Sequence, residues 1–372
     1  MKTLKLTRIP FLILLLLFFC AGLNKIVAQD TLKVNQAKDT ASAAGKEEIS
    51  ACAVNLKNAE TSFTKGQVEV IPGLLSECLK SGFTREEALS AYKLLIQTLL
   101  FKDKLREADS SMLAFLKSNP EYKLSQTDHS SFVALYNTFV VRPVLLLSIR
   151  AGLNIPYLTF VEQHPTSGTA TGSTFKTDAS NIFFSVEGKF KILPKLEAGI
   201  GIGLSQMKFT NQMNYYDWAK IQYIETQTRI EIPVSVTYDL PGFGKFTPYV
   251  RGGLGFALNV STQADIQLIP TDRNNQYSRT GGTLDIKDTR IPLDVFGHAG
   301  LGLKFKIPRG FLFVEARTNV GIFDQNNKKV GTYTQMEDTF YMYSSPDFRL
   351  NTFTVNLGYT YIFYKPSKKT AK

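Results

Sequence analysis

LEAGIGIGLSQ, residues Leu196 to Gln206, sets a small or polar residue at every second position and an aliphatic one between. A strand repeats its side-chain direction every two residues, so such alternation means that its two faces meet different surroundings. Leu196, Ala198, Ile200, Ile202 and Leu204 line one face, while Gly199, Gly201 and Gly203 leave the other almost bare.

The same period runs from Pro143 to Tyr364, where eight segments read as strands: roughly 144–154, 180–192, 196–208, 221–239, 247–260, 292–306, 311–323 and 350–364. Tight turns at Pro194, Pro241 and Pro308 alternate with long polar connections near 155–179, 209–220, 261–291 and 324–349. Short and long connections in strict alternation, with an even strand number, are the pattern of transmembrane β-barrels. Pro233 in IEIPVSV disturbs it, because proline cannot donate to a ladder, and a β-bulge is expected there.

Each segment carries one apolar stripe, such as Leu145, Leu147, Ile149 and Leu153, or Phe353, Val355, Leu357, Tyr359, Tyr361 and Phe363. The opposite positions hold Arg150, Glu187, Lys189, Glu197, Arg229, Glu231, Arg251, Asp294, His298, Lys304, Glu315 and Arg317, interleaved with glycine. Charges that face a lumen escape hydrocarbon, and glycine leaves room for long side chains in a narrow interior. The fold expected is an all-β antiparallel transmembrane barrel of eight strands, with the stripes toward lipid and the charges forming a lumen network. A soluble ligand-binding barrel, with the apolar stripes turned inward, is the alternative.

Ahead of the strands the period is helical. TREEALSAYKLLIQTLLF opens with Thr84 and Glu87 spaced as a capping box, and four or five short helices fit between about 44 and 140. Ala59, Phe63 and Gly66, together with AFLKSNPEY, are similar to tetratricopeptide hairpins, although at most about one and a half repeats are present where a free solenoid needs three. A compact helical domain is therefore expected.

Met1 to Ala28 reads as a secretory signal: Lys2, Lys5 and Arg8 precede an apolar run that ends in Ile26-Val27-Ala28. Lipoprotein processing at Cys20 fits poorly, because Phe18 and Phe19 stand where small residues belong. Residues 29–43 read as a flexible lead-in and 365–372 as a basic tail. Without residues 1–28 the formal charge falls from +11 to +7, through loss of Lys2, Lys5, Arg8 and Lys25. No basic block precedes the tail, so nucleic acid is a poor partner. Cys52 and Cys78 remain, and an even pair in an exported chain reads as a disulfide joining the first two helices, against the alternative of two buried thiols.

RIEIPVSVTYDL, GKFTPYVRGGLGFAL, GHAGLGLKFKI, FLFVEARTNVGIF and VNLGYTYIFY resemble the Bacteroidota outer-membrane β-barrel domain family, which includes PorT-type proteins of type IX secretion and gliding systems. The likeness spans about 143 to 364 and implies an outer-membrane location; the even strand count puts the helical domain and C-terminus together in the periplasm. The chain departs from many such barrels in running eight residues beyond Tyr364.

An enzyme is not expected. His129, His164 and His298 are the only histidines, and none sits at a catalytic or metal-binding spacing; His164 with Ser167 is the one loop pair worth testing. No cofactor or metal is called for. An eight-stranded interior is just wide enough for side chains, and six basic against five acidic lumen residues suit a cross-linked plug better than a channel. The expected role is an envelope anchor that binds periplasmic or secretion-machinery proteins through residues 44–140. Small-solute passage or surface-ligand binding through the long loops is the runner-up.

Overall fold

The computed structural model describes residues 50–162, 170–177, 181–215, 219–270, 279–330 and 345–369, and the segments expected to be a secretory signal and a lead-in lie outside them. Among the described residues five helices come first: α1 (Ala51–Thr64), α2 (Ile71–Lys80), α3 (Arg85–Phe101), α4 (Leu105–Ser118) and α5 (Ser130–Tyr136). Thr84 accepts from the Glu87 N–H and Glu87 returns the bond, so the box fixes where α3 begins. Cys52 and Cys78 are disulfide-bonded, with their Cα atoms 5.6 Å apart, and tie α1 to α2. Gly82, at φ +134, turns the chain beside that bond, where a Cβ would stand 2.7 Å from Cys52 Sγ.

The helices bury two clusters. Leu56, Ala59, Ile71, Leu75, Ala91 and Leu94 form the first. Ile96, Met112, Phe115, Leu116 and Phe132 form the second, and Phe139, the first residue of the first strand, completes it. Helices and strands therefore share a core, and from Ala51 onward the chain clusters as one unit.

Ten strands follow among the described residues: β1 (Phe139–Glu162), β2 (Ala170–Thr177), β3 (Ile182–Leu193), β4 (Leu196–Tyr215), β5 (Ala219–Asp239), β6 (Phe246–Pro270), β7 (Arg279–Asp285), β8 (Leu293–Ile307), β9 (Gly310–Gly321) and β10 (Asp347–Lys368). Eight of them, all antiparallel, pair in a ring ordered β4-β3-β1-β10-β9-β8-β6-β5, and β5 pairs back onto β4. β2 adds to β4 and β7 to β6 above the ring. The tight turns and the outer ends of β1 and β10 lie at one end, and the longer connections lie at the other.

Three expectations need correction. The strands reach well beyond the segments read from sequence, and three of the supposed loops are largely strand, 155–179 being taken up by the end of β1 and by β2. The connection expected at 209–220 is almost absent, since β4 runs to Tyr215 and β5 starts at Ala219. Similarly, β6 continues to Pro270 and β7 returns along it.

Pro233 carries no bulge. The β4–β5 ladder skips Gly201 and Ile202 but resumes in the same register, Ile200 with Val234 and Gly203 with Glu231. A missing N–H removes a bond without requiring an extra residue. The bulge lies elsewhere, where Val260 is extra in β6 opposite Thr228 and Arg229. There the inward set changes parity, from Tyr249, Arg251, Ala257 and Asn259 to Thr262, Ala264 and Ile266.

The outer surface of the ring is apolar near the turn end. Ile202 is 58% exposed, Leu254 60% and Leu301 66%, with Leu145, Leu147, Ile149, Leu153 and Ile155 on β1 and Phe353, Leu357 and Phe363 on β10 beside them. Farther up the strands the polarity reverses. Lys208, Thr210 and Gln212 on β4 and Lys220, Gln222 and Thr226 on β5 point out, while Met207, Phe209, Ile221, Tyr223 and Ile266 are buried inside.

Candidate functional site: the ring interior and its helical cap

The bare face of Leu196–Gln206 is the inward one. A Cβ on Gly199 would stand 2.9 Å from Glu187 Oε1, so this glycine leaves space for the side chain on which the interior is organised. Glu187 accepts from Arg150 Nη2, from Arg251 Nη1 at 2.8 Å and from the Ser235 hydroxyl at 2.6 Å, with Lys189 Nζ 3.6 Å away. Glu315 takes the Tyr249 hydroxyl at 2.8 Å and Arg150 Nη1 at 3.3 Å. Two carboxylates thus hold two guanidiniums from four strands.

Toward the turn end, Lys304 donates to Glu197 at 3.0 Å and to Asp239 at 2.6 Å. Toward the other end, Arg229 bonds Gln227 and Gln325, and Gln325 also donates to Asp294 at 2.9 Å. Above them Arg290 meets Glu225 at 2.7 Å and bonds Asn326. Gln325 and Asn326 come from the segment after β9, which bends over the lumen and is bonded to β10 through Gln325 N–H and Phe348 C=O at 2.8 Å.

All twelve charged or histidine residues singled out on the strands are buried. The structure brings Arg150, Glu187, Arg251 and Glu315 into one bonded cluster, and seats Lys304 with Glu197 apart from Arg229 with Asp294. Arg317 and Glu231 approach only to 3.8 Å. His298 is 5% exposed, and neither ring nitrogen has a hydrogen-bond partner among the described residues.

Several interior residues have no counterpart in the sequence reading. Asn351, Thr352, Thr354, Asn356 and Thr360 form a buried polar row on β10. The alternation in NTFTVNLGYTY carries that signal, without a charged residue to mark it. Glu225 bonds Tyr223 and Gln227 two residues away, but the contacts that draw Glu225, Arg290, Gln325 and Asn326 together across the interior join residues 20 to 96 positions apart, which no local pattern marks.

The helical part closes on the turn end through Glu121. Its carboxylate accepts from the Arg309 N–H at 3.1 Å and the Tyr364 hydroxyl at 2.9 Å, and Lys306 Nζ is 3.4 Å away. Burial opposes the charge on Glu121, yet these donors outweigh it and hold the carboxyl below its ordinary value. Lys368 to Asp109 and the Lys369 N–H to the Thr138 carbonyl at 2.7 Å complete the seam.

His129 caps α5, accepting from the Ser131 N–H at 3.3 Å, and the pair His164 and Ser167 lies outside the described residues. Among the described residues no three His, Cys, Asp or Glu side chains gather as metal ligands.

No family model matches the chain. No curated protein matches it either. Solved structures similar to it include Neisserial surface protein A at 12% identity and TM-score 0.27, covering 59% of this chain and 97% of that one. Ail, the attachment invasion locus protein of Yersinia pestis, is 10% identical at TM-score 0.26 and covers 59% and 99%. The outer membrane protein OprG of Pseudomonas aeruginosa is 10% identical at TM-score 0.28 and covers 59% and 97%. At these values the function has to be argued from the chain's own geometry.

Proposed function

We propose that the chain is a non-enzymatic integral outer-membrane β-barrel whose lumen is sealed by its own side chains and whose turn end carries a helical domain that binds protein partners. One observation carries the reading: the ring is apolar outside and charged inside, the inverse of a water-soluble barrel. The apolar stripe on β10, Phe353 to Phe363, spans eleven residues, and that on β6, Val250 to Val260, spans the same. A membrane-crossing strand needs about 9 to 11. At the turn end Phe243 stacks on Phe246, which meets Phe305 at a tilt, aromatics of the kind that gather at membrane interfaces.

The helical domain supports the second half of the proposal. Phe101 is 76% exposed, and the Glu69–Lys102 ion pair brings exposed Val70 to the same region. Periplasmic envelope or secretion-machinery proteins, as the PorT-type resemblance implies, are the partners proposed for residues 44–140. With the secretory leader read at Met1 to Ala28, the ring belongs in the outer membrane, with helices and C-terminus in the periplasm.

The test is gel migration of the membrane-extracted protein, boiled and unboiled, with protease added to intact cells. A heat-modifiable band cleaved only within the long connections supports the reading. A soluble, unmodifiable protein rejects it. For the helices, Phe101→Glu in the full chain should leave the heat shift intact and remove co-purifying proteins, whereas retention of every partner rejects the binding role.

A second reading, passage of small solutes, has one feature in its favour. β1 pairs with β3 only up to Leu153 and Ile182, and above that no ladder joins β1 to β2 among the described residues. An apolar recess of about 410 Å³, lined in part by Gly152, Ile182, Phe184 and Leu204, opens there. Swelling of vesicles containing the purified protein in small apolar-tailed solutes would favour this reading over the sealed anchor.

A further inference from the structure

Between the Glu187 cluster and the Arg229–Asp294 pair lies a level of the lumen where the bonding stops. Arg317 is 1% exposed, and its Nε, Nη1 and Nη2 have no hydrogen-bond partner among the described residues. The other interior arginines differ: Arg150, Arg229, Arg251 and Arg290 each donate to a carboxylate or an amide oxygen. The nearest carboxylate to Arg317 is Glu231, at 3.8 Å, and its Oε2 is also unpartnered.

The strands place further donors at this level. Arg317 pairs with Gly300 on β8 and Thr354 on β10, so His298 and Asn356 are its diagonal neighbours on the inward face. Both are buried, and both side chains lack partners among the described residues. The Nε groups of Arg150 and Arg251, one step toward the turn end, are unpartnered as well. N–H groups therefore outnumber acceptors here, since a guanidinium has five and accepts none.

The charges are uneven in the same place. Within 4 Å, Arg150, Lys189, Arg251 and Arg317 meet Glu187, Glu231 and Glu315. Arg229 is matched by Asp294 and Arg290 by Glu225, while Lys304 has both Glu197 and Asp239 at the rim. Among the described residues the interior acids and bases balance as a whole, but at this level the cations exceed the carboxylates by one, the balancing carboxylate standing at the rim beside Lys304. An ion without a close counter-charge is costly in a low-dielectric site.

We propose that the middle of the lumen is a binding site for one monovalent inorganic anion, a halide in the simplest case, held by Arg317 and flanked by His298 and Asn356. Such an ion supplies the missing acceptor and cancels the surplus charge together. Arg317 is held at its far side by the Phe183 ring, 5.0 Å from the guanidinium carbon, which leaves its edge for the ion.

The experiment is anomalous diffraction from crystals of the full-length mature protein grown in bromide, beside apparent unfolding temperatures in sodium chloride and sodium gluconate at equal ionic strength. A bromide peak within hydrogen-bonding reach of Arg317, and a higher unfolding temperature in chloride, are expected. Glu231→Gln removes a negative charge and should strengthen the peak, while Arg317→Gln should abolish both peak and chloride effect. Only ordered water at Arg317, or a direct Arg317–Glu231 bond with no halide, overturns the proposal. So does a peak undiminished in Arg317→Gln. If Arg317→Gln does not fold, the wild-type and Glu231→Gln crystals still decide.

Discussion

The lower and upper thirds of the same strands are built on opposite plans. On β5 the outward residues Ile230, Ile232, Val234 and Val236 near the turn end give way to Lys220, Gln222 and Thr226 above. The inward residues change the other way, from Arg229, Glu231 and Ser235 to Ile221 and Tyr223. Neither β4 nor β5 switches faces in between, since their register has no shift. Backbone geometry is therefore constant, and what changes is the solvent each face answers to. The upper part is an ordinary water-exposed β structure with a greasy core, and the lower part fits hydrocarbon.

The comparison is most exposed to attack at Glu187. Glu187→Gln leaves Arg150 and Arg251 buried without a full counter-charge and should cost about 3–5 kcal/mol in urea unfolding from lipid vesicles. A loss under about 1 kcal/mol would mean that the lower interior is hydrated and not cross-linked. Phe209→Ala probes the upper core, where Phe209 packs on Phe348 and Phe175. It should cost about 3–5 kcal/mol locally, seen as lost amide-exchange protection at the tops of β4 and β10, with the lower strands still protected.

A paired substitution sharpens the boundary between the two regions. Leu254→Arg, in the belt, should cost about 2–4 kcal/mol of folding into vesicles. Thr226→Arg, on an outward face above it, should change stability by no more than about 0.5 kcal/mol. Equal costs would erase the distinction.

A smaller loss than at Glu187, Phe209 or Leu254 is expected at the helical seam. Because the folded pKa of Glu121 is depressed, its contribution is complete above the ordinary carboxyl value near 4.5 and is lost as pH falls below that value through the folded one. Glu121→Gln should loosen the helices by about 1 kcal/mol at neutral pH and remove that acid dependence, read by protease nicking near Ser118. Unchanged acid sensitivity would place the responsible carboxylate elsewhere, with Asp128 the next to test. Asp128, whose own burial is outweighed by Lys93, Tyr122 and the Ser125 N–H, is also held below its ordinary value.

The lower region was legible because alternation is a local property. Strands, stripes and inward charges near the turn end follow from residue types two apart, and the start of α3 follows from Thr84 and Glu87, three apart. The upper region was misread for an equally physical reason. Its outward faces are polar and its inward residues are fewer, so 209–220 and 261–291 have the composition of loops although most of their residues pair as strands.

By itself, then, the sequence determined the two-residue period, the polarity of each lower face, the helical preface and the pair Cys52 and Cys78. Only the tertiary structure decided which carboxylate meets which guanidinium, that Val260 rather than Pro233 carries the bulge, that Gln325 and Asn326 cover the lumen, and that Glu121 binds the helices to the turns. Those outcomes depend on the stagger with which eight strands meet around a ring. That stagger brings together residues such as Arg150 and Glu315, 165 positions apart, which no local pattern relates.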